Sequence, residues 1–383
     1  MKSFHVIQNI PSPYRLHLFN EMWRQLTALG IDFHVHFMSD FSKGHKERPL
    51  SWHNPKIDFP HTYWKDYGFG CHHFNPGMLR YLRRVKPTYL LIGSTFDTFT
   101  GFLASQGFKS SVKCAWSEGN TKTTGKMTGL LGWIKRTAFS GCQFVGVPGR
   151  DAANYIALHQ SLTKKKMPTP IFLPNLIDET RFRPRKGFES SNIDNLRKEL
   201  GVEDKKLCII PARLEWYKGL KEFLSNLPLQ LIVDNWKILI LGQGSLNEEI
   251  KNIIEECKLG NSISILNYVS YEKMPMFYAA SDLFLLPSLM DRNPLTVVEA
   301  LHSGLPIALS CMAGNVEEGV TEGRNGWVLP VKNDVEYREI LMSIFSTDIK
   351  TLQLMGEKSL TENAQFWNTK GVIQQFFSAL GIG

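Results

Sequence analysis

Residues 283–306 constrain the fold of this chain more than any other stretch. Leu283 to Leu286 is an apolar run of strand length, the loop PSLMDRNP follows, and Val297, Val298, Ala300 and Leu301 then line one side of a helix that Gly304 and Pro306 end. Asn293 reads as the helix cap and Pro294 as its first residue, since a short polar side chain and a missing N–H both suit a helix start. A strand, a tight turn and a helix together form the repeating unit of a parallel α/β sheet. The first-turn N–H groups, near Leu295 and Thr296, have no partner within the helix, and the helix dipole favours negative charge there. The turn is therefore an anion site that suits a phosphate. Asp291 stands before the turn and Glu299 eight positions later, so one carboxylate reaches the loop mouth while the other lies further along the helix.

The rest of the chain repeats the same alternation. Strand patterns at 4–9, 31–37, 88–93, 112–117 and 142–147 are interleaved with helical ones at 14–28, 76–85, 97–106, 122–139 and 149–159. Apolar strands recur at 206–211 and 236–241, and a last helix is expected at 366–380. Residues 39–75 lack periodicity and hold Trp52, His61, Trp64, His72 and His73; so long an aperiodic segment reads as a functional loop. Cys71, His72 and His73 are adjacent rather than spaced along one face, which is ordinary packing rather than a metal site. This pattern predicts an α/β protein of two Rossmann-like, doubly wound domains: residues 1–184 with the linker, residues 185–365, and a terminal helix, 366–383, that crosses back to the first domain. At 383 residues the chain is long for one core and suits two.

Charge separates the halves. Residues 1–180 carry 22 Lys and Arg against 11 Asp and Glu, a balance of +11, whereas residues 181–383 carry 22 against 25, a balance of −3. A basic first half suits either an anionic partner, such as an anionic membrane surface or a lipid-phosphate acceptor, or a solvated basic surface with no particular partner; no nucleic-acid motif accompanies the charge. Within 122–139, Met127, Leu130, Leu131 and Ile134 fall at helical spacing beside Lys126, Trp133, Lys135 and Arg136. That pattern serves either a helix lying on a membrane or one packed on the sheet. The six cysteines are scattered without a C-x-x-C pair and read as reduced thiols of a cytoplasmic protein. No run is long enough for a membrane span, and the start of the chain does not read as a secretory signal.

Several strand ends carry chemistry. PARLEWYKG (211–219) places Arg213 and Lys218 in a strand-to-helix loop, where an Arg fork and a Lys point charge can neutralise a diphosphate. In LGQG (241–244), Gly242 and Gly244 leave room for backbone to approach a ligand. Glu118 follows strand 112–117 at its carboxyl end, where parallel sheets bind ligands. No Asp-x-Asp pair is present to hold a metal–diphosphate, so no metal or other cofactor is expected.

An acid, seven residues and Glu-Ala at 291–300, then Gly-Leu-Pro at 304–306, resemble the signature of family 4 glycosyltransferases. PARLEWYKG, LGQG, GNVEEGVTEGRNGWVLP (314–330) and the linker PNLIDETRFRP (174–184) follow in that family's order. The resemblance implies the GT-B fold, with two domains facing across a cleft. It also implies transfer of a sugar from a nucleotide-diphosphate sugar donor to a hydroxyl acceptor, lipid-linked or saccharide, with retention of configuration. Arg213 and Lys218 would hold the diphosphate and Asp291 the sugar. Glu299, Gly242, Gly244, Val269, Asn293, Leu295 and Thr296 would hold the rest of the donor. Two departures stand out: Asp291 replaces the usual Glu, and Ser117-Glu118 replaces a common His. Pro11 to Arg15 replaces a glycine-rich turn, so Tyr14, Arg15 and Glu118 become the candidate sugar or acceptor contacts. A non-catalytic nucleotide-sugar-binding protein and a sugar-nucleotide epimerase of the same fold are the alternative readings. The cytoplasm, with peripheral attachment at the inner membrane face, is the expected location.

Overall fold

The structure is a computed structural model that describes residues 2–40, 56–69, 72–124, 128–202, 204–267, 269–331 and 334–383. Trp52, Cys71, Lys126 and Met127, singled out above, lie outside the described residues. The chain divides into two compact units, Met1–Ile177 with Thr369–Gly383, and Asp178–Asn368.

The first unit is built on a seven-stranded sheet: β1 (Ser3–Gln8), β2 (Asp32–Phe37), β3 (His61–Tyr63), β4 (Tyr89–Ile92), β5 (Val112–Trp116), β6 (Phe144–Val147) and β7 (Thr169–Phe172). The order is β3-β2-β1-β4-β5-β6-β7, with every pairing parallel. The second unit carries β8 (Lys206–Pro211), β9 (Trp236–Leu241), β10 (Ile263–Leu266), β11 (Leu283–Leu286), β12 (Ile307–Ser310) and β13 (Gly326–Leu329) in the order β10-β9-β8-β11-β12-β13, again all parallel. These are two doubly wound sheets. In each the strand order reverses beside the first strand, β1 or β8, and the loop after that strand lies at the switch point where such sheets take ligands.

Burial explains why the sequence reads so clearly here. Parallel sheets are covered on both faces, and β4, β9, β11 and β12 are buried at every residue. The terminal helix Thr369–Ala379 belongs to the first unit; it buries Val372, Ile373, Phe376 and Phe377, and the Phe377 ring meets Phe4 at 5.7 Å, edge to face. It begins three residues later than expected, because 364–367 form a short 3-10 turn.

Other expectations shift as well. The four edge strands, β3, β7, β10 and β13, lie outside the strand patterns above, and β3 falls within the segment read as aperiodic. Residues 178–184, assigned above to the first domain, pack in the second unit: Arg181 Nη2 donates to Tyr271 O at 3.3 Å, and its guanidinium lies 4.3 Å from the Tyr271 ring centroid. The helix expected over 122–139 runs from Gly129 to Ser140.

Candidate active site

The chain turns through 212–219 after β8 and enters the helix Leu220–Ser225. Gly219 has φ +67°, and a Cβ there would strike the carbonyl oxygen of Pro287. The turn is therefore pressed against the end of β11, and Met290 N donates to Tyr217 O at 3.1 Å. This approach brings Lys218 Nζ onto Asp291 Oδ2 as an ion pair, with both side chains largely buried. Ser288 Oγ donates to the same Oδ2 at 3.4 Å. The backbone of Asp291 is tied on its other side, because Gly314 N donates to Asp291 O at 3.0 Å. An ammonium has three donors, so Lys218 keeps N–H groups for a second anion while it holds the carboxylate.

Arg213 is held far more loosely: its side chain is 63% exposed and meets Glu215 Oε1 at 3.5 Å. Glu215 is fixed by Ser245, whose Oγ donates to Oε2 at 2.8 Å. That bond, with a smaller pull from Arg213, keeps the Glu215 carboxyl below its usual range. Gly242 and Gly244 have a nearer neighbour than the ligand expected for them. A Cβ on Gly242 would collide with Ala212 O, and one on Gly244 with Leu214 O. Their small size closes the β9 loop onto the Arg213 loop, which Leu214 N to Gln243 O at 3.2 Å and Leu246 N to Leu214 O at 2.9 Å then fasten. Val269 is half-buried beside position 268, which lies outside the described residues.

The helix after β11 starts one residue later than its sequence signals. It spans Leu295–His302 with Pro294 at the cap in an extended conformation, and Asn293 makes no capping bond. The reason is tertiary: Asn315 Nδ2 donates to Pro294 O at 3.1 Å, and Val297 N donates to the same oxygen at 3.3 Å. Both amide atoms of Asn293 are enclosed without a protein partner. Leu295 and Thr296 form the first turn and are half-buried. Glu299 is only 8% exposed, and Tyr278 Oη donates to its Oε2 at 2.7 Å. Burial raises its pKa from 4.5 to about 7, against smaller opposing contributions from the Tyr278 bond and the Arg181 charge. Of the two residues that shape this turn, Tyr278 carries no signal in the sequence, while Asn315 lies in the stretch 314–330 quoted above without being singled out.

The remaining candidates gather in the first unit. Arg15, on the helix Pro13–Ala28 that follows β1, is 6% exposed and lies with Cζ 3.3 Å from the Trp116 ring centroid and 5.9 Å from that of Tyr14. Its Nη2 donates to Glu118 Oε1 at 2.9 Å, and Asn175 Nδ2 donates to the same oxygen at 2.6 Å. Asn175 was overlooked as a site residue, although it sits in the linker motif 174–184. Among the described residues no group of three His, Cys, Asp or Glu is arranged to hold a metal ion.

Two parallel α/β units of this order define the GT-B architecture. HepE of Anabaena, solved in complex with UDP, superposes with a TM-score of 0.75 over all of both chains at 17% identity. Residues 192–361, which carry Arg213, Lys218, Asp291 and Glu299, match the family model of glycosyl transferases group 1. An uncharacterized glycosyltransferase of Methanocaldococcus jannaschii is 25% identical over 37% of this chain and 36% of its own length. The GDP-mannose-dependent alpha-(1-6)-phosphatidylinositol monomannoside mannosyltransferase of Mycobacterium tuberculosis is 25% identical over 41% of this chain and 42% of its own. The matched regions span about a third to just over half the length of the first such relatives. No helix among the described residues is long and apolar enough to cross a membrane.

Proposed function

We propose that the protein transfers a sugar from a nucleoside-diphosphate sugar to a hydroxyl acceptor, with retention of configuration and without a metal. The observation that carries this reading is the Lys218–Asp291 pair, held by two loops beside the start of the helix Leu295–His302. Lys218 contributes a cation that stays fixed through the reaction, and Arg213, exposed and loosely paired, can close onto the diphosphate. Together with the N–H groups of Leu295 and Thr296 they stabilise the charge that grows on the leaving phosphate, and stabilisation of that kind is commonly what lowers the barrier most. Asp291 accepts hydrogen bonds from the transferred sugar, and Glu299, in its ionised form, from the ribose hydroxyls. HepE was solved with UDP, and the mycobacterial relative is named for its dependence on GDP-mannose; both support a nucleoside diphosphate donor and leave the base open.

The acceptor side falls to the first unit. Its basic balance, and the exposed Leu130, Leu131 and Trp133 on the helix Gly129–Ser140, support peripheral attachment to an anionic membrane from the cytoplasmic side.

A thermal-shift screen of uridine, guanosine and adenosine diphosphates in chelator tests the reading directly. One of them should stabilise the protein by about 2.7 kcal/mol at a hundredfold excess over its dissociation constant. Asp291→Asn should leave that binding nearly intact and depress sugar transfer, whereas Lys218→Ala should lower turnover more than affinity. Binding that strictly requires magnesium, or transfer by Asp291→Asn at the parent rate, would refute it.

A further inference from the structure

The first unit holds a constellation that the donor chemistry does not use. Arg15 and Asn175 are each 6% exposed, and both converge on Glu118 Oε1. The three residues come from separate places in the sequence: the helix after β1, the end of β5 and the stretch after β7, all at the carboxyl edge of one sheet. The indole of Trp116 backs the guanidinium at 3.3 Å and is itself fixed, its Nε1 donating to Leu173 O at 2.9 Å.

What this arrangement leaves unused is informative. Arg15 Nε and Nη1 and Asn175 Oδ1 are enclosed without a protein partner. Glu118 keeps its second oxygen free of hydrogen bonds among the described residues, and its side chain is 32% exposed. Buried polar atoms are nearly always paired, so a cluster of unpaired ones at a ligand-binding edge marks a place where a ligand supplies the partners. The unpaired set mixes donors and acceptors. A phosphate or carboxylate offers acceptors only and would meet the outward-facing Glu118 charge, while the Arg15 charge is already balanced by that carboxylate. Hydroxyl groups both donate and accept.

We propose that Arg15, Glu118 and Asn175 form a saccharide-binding site in which Glu118 accepts from a sugar hydroxyl and Arg15 donates to a neighbouring one. The acceptor it takes is thus a neutral, polyhydroxylated saccharide end rather than a phosphate headgroup. This rests on the transferase reading, in which the first unit receives the acceptor. Arg15 and Asn175 act as positioning residues for the carboxylate as well as contacts.

Saturation-transfer NMR on the full chain tests it with a panel of methyl hexopyranosides and with glycerol 3-phosphate as the phosphate probe. At least one glycoside should bind and glycerol 3-phosphate should not. Glu118→Gln and Asn175→Ala should each weaken glycoside binding at least tenfold while nucleoside diphosphate binding stays at the parent level, which shows that the fold is kept. Saturation by glycerol 3-phosphate that Arg15→Ala abolishes, an unaltered glycoside signal in both variants, or no glycoside signal at all would overturn the proposal. Loss of the donor reading shows separately, as a parent protein that binds no nucleoside diphosphate.

Discussion

Glu299→Gln removes a buried ionisable group while keeping its shape, and the structure sets the size of the effect. Burial holds the Glu299 carboxyl at about 7 rather than 4.5, with the Tyr278 hydroxyl as its hydrogen-bond donor. A carboxyl whose folded pKa lies above the unfolded one binds its proton more tightly in the folded chain. Its stabilising contribution is therefore complete below about pH 4.5 and is lost as the pH rises through 7. At about 1.4 kcal/mol for each tenfold change in proton affinity, the loss at pH 8 approaches about 3 kcal/mol. Gln cannot ionise, and Tyr278 can still donate to its amide oxygen. The variant should match the parent within about 1 kcal/mol at pH 5 and exceed it by about 3 kcal/mol at pH 8, a rise in midpoint of roughly 6–12 °C for a unit of this size. Scanning calorimetry at the two pH values measures it, with hydrogen exchange of the helix Leu295–His302 assigning the transition to the second unit. The same substitution removes the carboxylate proposed to accept from the ribose hydroxyls, so nucleoside diphosphate affinity should fall and lose its dependence on pH near 7. A stability difference equal at pH 5 and 8 would show that the carboxyl is already comfortable as an anion, and the reasoning from burial would fail.

Two further outcomes follow from the first unit. Trp64 Nε1 donates to His36 Nδ1 at 3.1 Å, and His36 Nε2 lies 2.8 Å from His5 Nδ1; because Trp can only donate, His36 passes its proton toward His5, and both rings must stay neutral. Burial, then the neighbouring His34, lowers His5 to about 4 despite Asp32, and burial holds His36 well below 6.5. Stability is then full above pH 6.5 and is lost as the pH falls toward 4; the urea midpoint should drop between pH 7 and 5, less so in His5→Phe, and a parent midpoint that does not move would refute it. On the helix Gly129–Ser140, Leu130 and Leu131 are 72% and 71% exposed and Lys165 Nζ lies 5.9 Å from the Trp133 ring. The protein should float with anionic vesicles at low salt, less so with Leu130→Ser and Leu131→Ser together, since surface attraction is worth about 1 kcal/mol per basic residue; recovery wholly in the soluble fraction would sink the membrane assignment.

The sequence alone determined the architecture, because buried parallel strands leave an unbroken apolar record. Strands 206–211 and 236–241 and the helix Pro76–Val85 stand where the pattern puts them, to the residue. The spacing of Arg213, Lys218, Asp291 and Glu299 around strand ends likewise needed no coordinates. Tertiary structure decided what short or local signals cannot carry. β3 and β7, three and four residues long with His, Thr and Pro among them, take strand form from their pairing with β2 and β6. Asn293 satisfied a local capping rule, yet Asn315 fixed the Pro294 carbonyl and moved the helix start. Gly242 and Gly244 announced a close approach, and only the fold showed that Ala212 and Leu214 fill it. The meeting of Lys218 with Asp291, of Glu299 with Tyr278 and of Arg15 and Asn175 on Glu118 joins residues far apart in the chain. Their charge and protonation depend on burial and partners, which packing alone decides.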